Sequence, residues 1–169
     1  DFDATNQQEK RVQQNDEKKL KLQEIEGELN LFNKQTREHF QNLIRTEAEW
    51  DKTDDFKERF KILLKYSEAL YIIFYFERIY NLIFGSQITI LKKLNSSTGL
   101  RKNEIEKVYK NTIQETNELL KDYPFNIYFS YLENSGLVVV ENGVVNITWL
   151  GRDFLKYLID KGLAEQKEN

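Results

Sequence analysis

The 169-residue chain carries 25 lysine and arginine residues against 28 aspartate and glutamate, a formal net charge of −3, so no basic excess marks it as a nucleic-acid binder. It has no cysteine, which excludes disulfides, thiol catalysis and thiolate metal sites and fits a reducing, cytoplasmic setting. One proline and seven glycines leave few helix breakers, so the length suits about one mainly α domain with an appended helix.

Residues 1–50 read as a polar helical arm. The chain has no methionine, so Asp1 is not an intact start, and a piece of a longer protein is expected. Asp1 to Lys19 is polar and charged rather than basic and then apolar, so no secretory signal is read there. Leu22, Ile25, Leu29 and Phe32 follow a 3-4-3 spacing, the seam of a coiled coil or helical hairpin and a candidate oligomer interface. The next heptad positions fall on Thr36 and His39, while Phe40, Leu43 and Ile44 resume the stripe one position later. Two broken heptads favour a helix packed within the domain or a dimer over a long intermolecular coiled coil or a mostly disordered tail.

Residues 51–85 hold a central hydrophobic helix. It opens at Asp51-Lys52-Thr53-Asp54-Asp55, where Thr53 or Asp54 is placed to cap it. From Phe56 to Phe84 apolar residues occur on all sides, and a helix apolar on every face is expected to be buried on every face. Burial of one such side chain is worth about 1.5–3 kcal/mol. One small domain is too small to cover the helix, so the arm, a second subunit or both should pack on it. Tyr71, Phe74 and Tyr75 are therefore candidate oligomer contacts, and an aromatic-lined ligand pocket is the weaker reading. The most apolar run, Ala69 to Phe76, ends at Glu77 and Arg78, well short of the roughly 20 apolar residues of a membrane span.

Residues 86–163 begin with Ile88, Ile90, Leu91 and Leu94 at helical spacing, followed by the turn-forming Asn95-Ser96-Ser97-Thr98-Gly99. Leu100 to about Asp122 reads as one longer helix with a possible break near Asn111-Thr112, and Pro124 to Asn134 as another. Leu137–Glu141 and Val144–Thr148 are rich in β-branched residues and are separated by Asn142-Gly143, the preferred pair for a type I′ hairpin turn. Phe154, Leu155, Leu158 and Ile159 then recur at helical spacing, and 164–169 is a polar tail.

Two phrases frame the hairpin: Leu132-Glu133-Asn134-Ser135-Gly136-Leu137 before it, and Thr148-Trp149-Leu150-Gly151-Arg152-Asp153-Phe154-Leu155 after it. The segment resembles the winged-helix family, in which a "Leu-Glu-x-x-Gly-Leu" helix end runs into a two-stranded wing and a "Thr-x-x-Gly-Arg-x-Phe-Leu" phrase opens the closing helix. The resemblance covers the C-terminal part only, and the length of the second helix departs from the family pattern. It implies a mainly α fold with a small β-hairpin, in which long N-terminal helices precede a winged-helix-like domain. It also implies DNA binding, the commonest use of such domains, with the Pro124–Asn134 helix in the major groove.

The residues at those positions argue against that use. The Pro124–Asn134 helix has no lysine or arginine, and the turn Glu141-Asn142-Gly143 has no cation. From Ser86 to Lys161 there are ten basic and nine acidic residues, a net of +1. Nucleic-acid contacts would fall to Lys92, Lys93, Arg101 and Lys102 around the loop, with Asn126 and Ser130 on the helix; solvated lysines at helix ends are the simpler reading. Phe125, Tyr128 and Tyr131 instead suggest a face for a protein partner. His39 is the lone histidine, no Glu-x-x-His pair is present, and phosphate loops and nucleophile elbows are lacking, so no enzyme, metal or cofactor is expected. The expected function is a non-catalytic interaction and oligomerisation module, a homodimer with a protein partner. The alternatives are a dimeric DNA-binding regulator, and the soluble assembly domain of a protein anchored to a membrane by a segment upstream of Asp1.

Overall fold

The computed structural model of the protein describes residues 18–21, 23–116 and 123–163, with the side chains of 112–116 left aside. Leu22, the proposed continuation of a helix to Asp122 and the 164–169 tail lie outside the described residues. The chain divides into two compact units, Asp1–Glu68 and Ala69–Asn169.

In the first unit, helical residues 23–29 turn into α1, Lys34–Glu47. Asn33 caps α1: its side-chain oxygen accepts from the Thr36 amide at 2.8 Å, satisfying one of the amides that a helix start leaves unpaired. A 3₁₀ turn, Trp50–Lys52, follows, preceded by Glu49 in the left-handed region at φ 50°. The central helix α2 spans Phe56–Leu82. Its cap is Asp55 rather than Thr53 or Asp54, because the Asp55 carboxylate accepts from the Lys57 amide at 2.9 Å while the Thr53 hydroxyl accepts from the Asp55 amide at 3.2 Å. Arg59 reaches back from α2 to donate to the carbonyls of Trp50 (3.1 Å) and Thr53 (2.6 Å), with its guanidinium 5.7 Å from the Trp50 ring centre.

The expectation that α2 is buried on every face is not met. Only Phe76 and Ile79 are buried within it, joined by Ile83 just after its end. These three lie at i, i+3 and i+7, which is the single stripe that one packed layer can cover. Tyr75 and Tyr80 pack on the edge of that core, while Tyr71, Phe74 and Leu82 stay largely exposed among the described residues.

The second unit runs α3 (Gly85–Asn95), β1 (Leu100–Arg101), α4 (Lys102–Thr116), α5 (Phe125–Asn134), β2 (Val138–Glu141), β3 (Val144–Ile147) and α6 (Trp149–Asp160). Mainly helical with one small sheet, it has the fold class expected. The strand order is β1-β3-β2, all antiparallel, with Leu100 opposite Val145 and Val138 opposite Ile147. The short strand β1 was expected to be the start of a helix. Asn142 (φ 52°) and Gly143 (φ 78°) both take positive φ, as a type I′ turn requires. Side chains of α3, α4, α5, the hairpin and α6 meet in one core that includes Leu91, Ile105, Phe129, Leu137, Val145 and Phe154.

The two framing phrases act together at one junction. Helix α5 ends in a Schellman cap, with the Gly136 amide on the Glu133 carbonyl (2.9 Å) and the Leu137 amide on the Leu132 carbonyl (3.0 Å). The Thr148 hydroxyl donates to the Gly136 carbonyl at 2.6 Å and accepts from the Gly151 amide at 3.0 Å, so it closes the α5 cap and opens α6. A β-carbon on Gly151 would lie 2.3 Å from the Leu137 carbonyl oxygen, a backbone atom that cannot swing aside. Gly151→Ala is therefore expected to lower stability by about 1–3 kcal/mol, read as a fall in the urea midpoint. Gly143→Asn, with open space around it and a residue type that tolerates positive φ, should stay within about 1 kcal/mol of wild type.

Candidate interaction surface

The three aromatic residues expected to form a docking face on α5 are not free side chains. Tyr128 is only 1% exposed, and its hydroxyl donates to Ser86 at 2.8 Å. Its own carbonyl accepts at 2.6 Å from the side-chain amide of the buried Gln87, whose oxygen accepts from the Phe84 amide at 2.8 Å. Tyr131 is half-buried with its hydroxyl on the Ile79 carbonyl at 3.2 Å, and Phe125 packs on Tyr109 at a ring separation of 5.3 Å. The docking assignment of Tyr128 is thus corrected to core: it lies four residues before Leu132, on the face that α5 turns to the hydrophobic interior. Burial is the main cause that raises its pKa, with the bond to Ser86 acting in the opposite direction.

Asn126, Ile127, Glu133 and Asn134 form the exposed surface of α5, and the half-buried Ser130 donates its hydroxyl to the Ile127 carbonyl at 2.9 Å. This surface has a carboxylate and no cation. Lys92, Lys93, Arg101 and Lys102 are all exposed around the 96–99 loop, with the Lys102 ammonium 4.6 Å from the Phe129 ring centre. Arg101 stands opposite Val144 in the sheet, so the basic edge and the hairpin are joined by a strand ladder.

The most extensive unpaired chemistry in the second unit is apolar and lies on α2. Tyr71 is 70% exposed, Phe74 62% and Leu82 60%, with Leu70, Ile72 and Ile73 exposed beside them. Tyr75, the third residue expected at an interface there, is half-buried and donates to the Ser135 carbonyl at 3.3 Å. In the arm, Ile25, Leu29 and Phe32 are likewise exposed. Contiguous exposed apolar surface of this kind marks interaction sites in soluble proteins.

Among the described residues, no three His, Cys, Asp or Glu side chains converge to hold a metal, and no helix is long and apolar enough to cross a membrane. No family model, curated protein or solved structure matches the chain.

One buried-edge contact gives the second unit a pH signature. The Tyr157 hydroxyl of α6 donates to the Glu77 carboxylate of α2, and burial, followed by that bond and the negative charge of Glu77, pushes its pKa from 10.0 up to about 12. The folded state retains a proton that the unfolded chain releases, so this stabilisation is complete below about pH 10 and is lost as pH rises through 12. Tyr157→Phe should make the loss of stability between pH 10 and 12 shallower in urea titrations. The part owed to Tyr109, Tyr128 and Tyr131, which burial also raises, should remain. Tyr128→Ala should cost about 3–5 kcal/mol of stability, the scale of a deleted core aromatic, whereas an outward-facing residue would cost far less.

Proposed function

We propose that the protein is a non-catalytic assembly module built on a winged helix, which self-associates through the outward face of α2. The single observation that carries this reading is the exposure of Tyr71, Phe74 and Leu82 on a helix whose opposite stripe is already in the core. A solvated helix at these positions would be expected to be polar. A large aromatic surface is instead the usual anchor of a protein interface. The winged-helix reading is supported by the order helix, strand, two helices, hairpin and helix, with the first strand beside the second strand of the wing. The neutral-to-acidic surface of α5 supports protein over DNA as the partner.

A second reading, a dimeric DNA-binding regulator, draws on the exposed Lys92, Lys93, Arg101 and Lys102, of which Arg101 stands opposite Val144, next to the hairpin turn. Light scattering with and without random-sequence duplex, at low and moderate salt, separates the two. A dimer indifferent to DNA is the expected outcome, and Tyr71→Lys with Phe74→Glu should shift it to monomer. A salt-sensitive complex abolished by Lys93→Glu or Arg101→Glu would favour the DNA reading.

A further inference from the structure

The first unit has almost no interior of its own. Ala48 is the one buried apolar residue among its described positions, and α1, with 14 residues, buries none. An isolated helix of that length is marginal in water. Yet α1 is strongly two-sided, and its apolar side lines an open groove of about 340 Å³ with Leu29, Phe32, Phe40 and Ile44 on its walls and Arg37 at its rim. Arg37 is held there by donation to the Asn30 side chain at 3.0 Å.

The same unit presents a matching ridge. Phe56, Phe60 and Leu64 stand at i, i+4 and i+8 on α2 and are 74%, 56% and 58% exposed. Rows spaced by four residues are the ridges that enter the grooves of another helix in the commonest helix packing, and Phe40 and Ile44 form such a row beside the groove. Both surfaces are open in one protomer, so neither covers the other. Together these seven side chains expose about 750 Å² if each presents roughly 200 Å² when fully exposed. That is close to the ~800 Å² per partner of a standard stable interface.

We infer that two copies exchange these elements about a two-fold axis, the Phe56–Phe60–Leu64 ridge of each copy seated in the Leu29–Phe32–Phe40–Ile44 groove of the other. This rests on the self-association proposed above and assigns its partner and pairing. A two-fold interface of this kind is self-complementary, because groove meets ridge twice.

The test uses the full chain in two variants, Phe40→Glu in the groove and Phe60→Lys on the ridge. Each alone should weaken dimerisation by at least about thirtyfold in sedimentation equilibrium, the scale of a central aromatic anchor. Mixed one to one, they should re-form a dimer, since the heterodimer keeps one wild-type ridge in a wild-type groove and sets Glu against Lys in the other. Near-ultraviolet circular dichroism should be unchanged, because both sites lie outside the core of the second unit. Two weakened variants that fail to rescue each other would show like-to-like pairing and overturn the exchange, as would variants that dimerise as the wild type does. If those variants remain dimeric while Tyr71→Lys with Phe74→Glu is monomeric, self-association through α2 stands and the exchange falls. A wild-type chain that stays monomeric at tens of micromolar would remove both.

Discussion

The end of α5 and the start of α6, a dozen residues apart in the chain, meet at the Thr148 hydroxyl, which joins the α5 cap to the first turn of α6. Buried backbone groups require partners, and here one side-chain oxygen serves a carbonyl and an amide at once. The Thr148 amide adds a bond to the Leu137 carbonyl at 3.0 Å, and Gly151 lets the helix approach that same carbonyl. The spatial relation of hairpin, α5 and α6 therefore depends on a hydroxyl and a missing side chain. An apolar residue in place of Thr148 would leave polar atoms unpaired, and any side chain at Gly151 would force the backbone apart.

Around that junction the aromatic residues do two jobs. Phe76, Phe129 and Phe154 fill volume, whereas tyrosines tether one element to another: Tyr75 to Ser135, Tyr109 to Tyr123, Tyr128 to Ser86, Tyr131 to Ile79 and Tyr157 to Glu77. Each ring buries apolar area while its oxygen finds a donor or acceptor at the edge of the core. Gln87 is the non-aromatic counterpart, wholly buried yet bonded at both ends of its amide. The second unit is thus closed both by packing and by directional bonds, and much of its exposed apolar surface lies on α2, with Trp149 and Ile159 exposed on α6.

Much of this unit was legible in the residues. Asn142-Gly143 specifies its turn through the sign of φ, Gly136 specifies a helix end, and Ile88, Leu91 and Leu94 carry a period that only a half-buried helix explains. Strand β1 was not legible, because two residues are too few to show alternation and their pairing depends on Val144 and Val145 more than forty positions away. Tyr128 misleads because tyrosine suits both an interface and a core; the deciding partner, Ser86, is distant in sequence. Apolar residues on every side of α2 say that it wants cover, but the pattern carries no phase, so the face left open becomes visible only once the core is assembled. The candidate surface was therefore legible as a helix and as Tyr71 and Phe74, but not as a boundary between covered and uncovered stripes.

The strand order β1-β3-β2 leaves β2 as an edge, and among the described residues no strand lies on its outer side. Exposed edges invite a foreign strand to add on, with Val139 and Val140 already facing water. Two features blunt that hazard: the strand is four residues long, shorter than the six or seven of a typical stacking segment, and it ends in the charged Glu141. Brevity and a charged end thus make the hairpin a poor template for strand addition, although Val139 and Val140 face water.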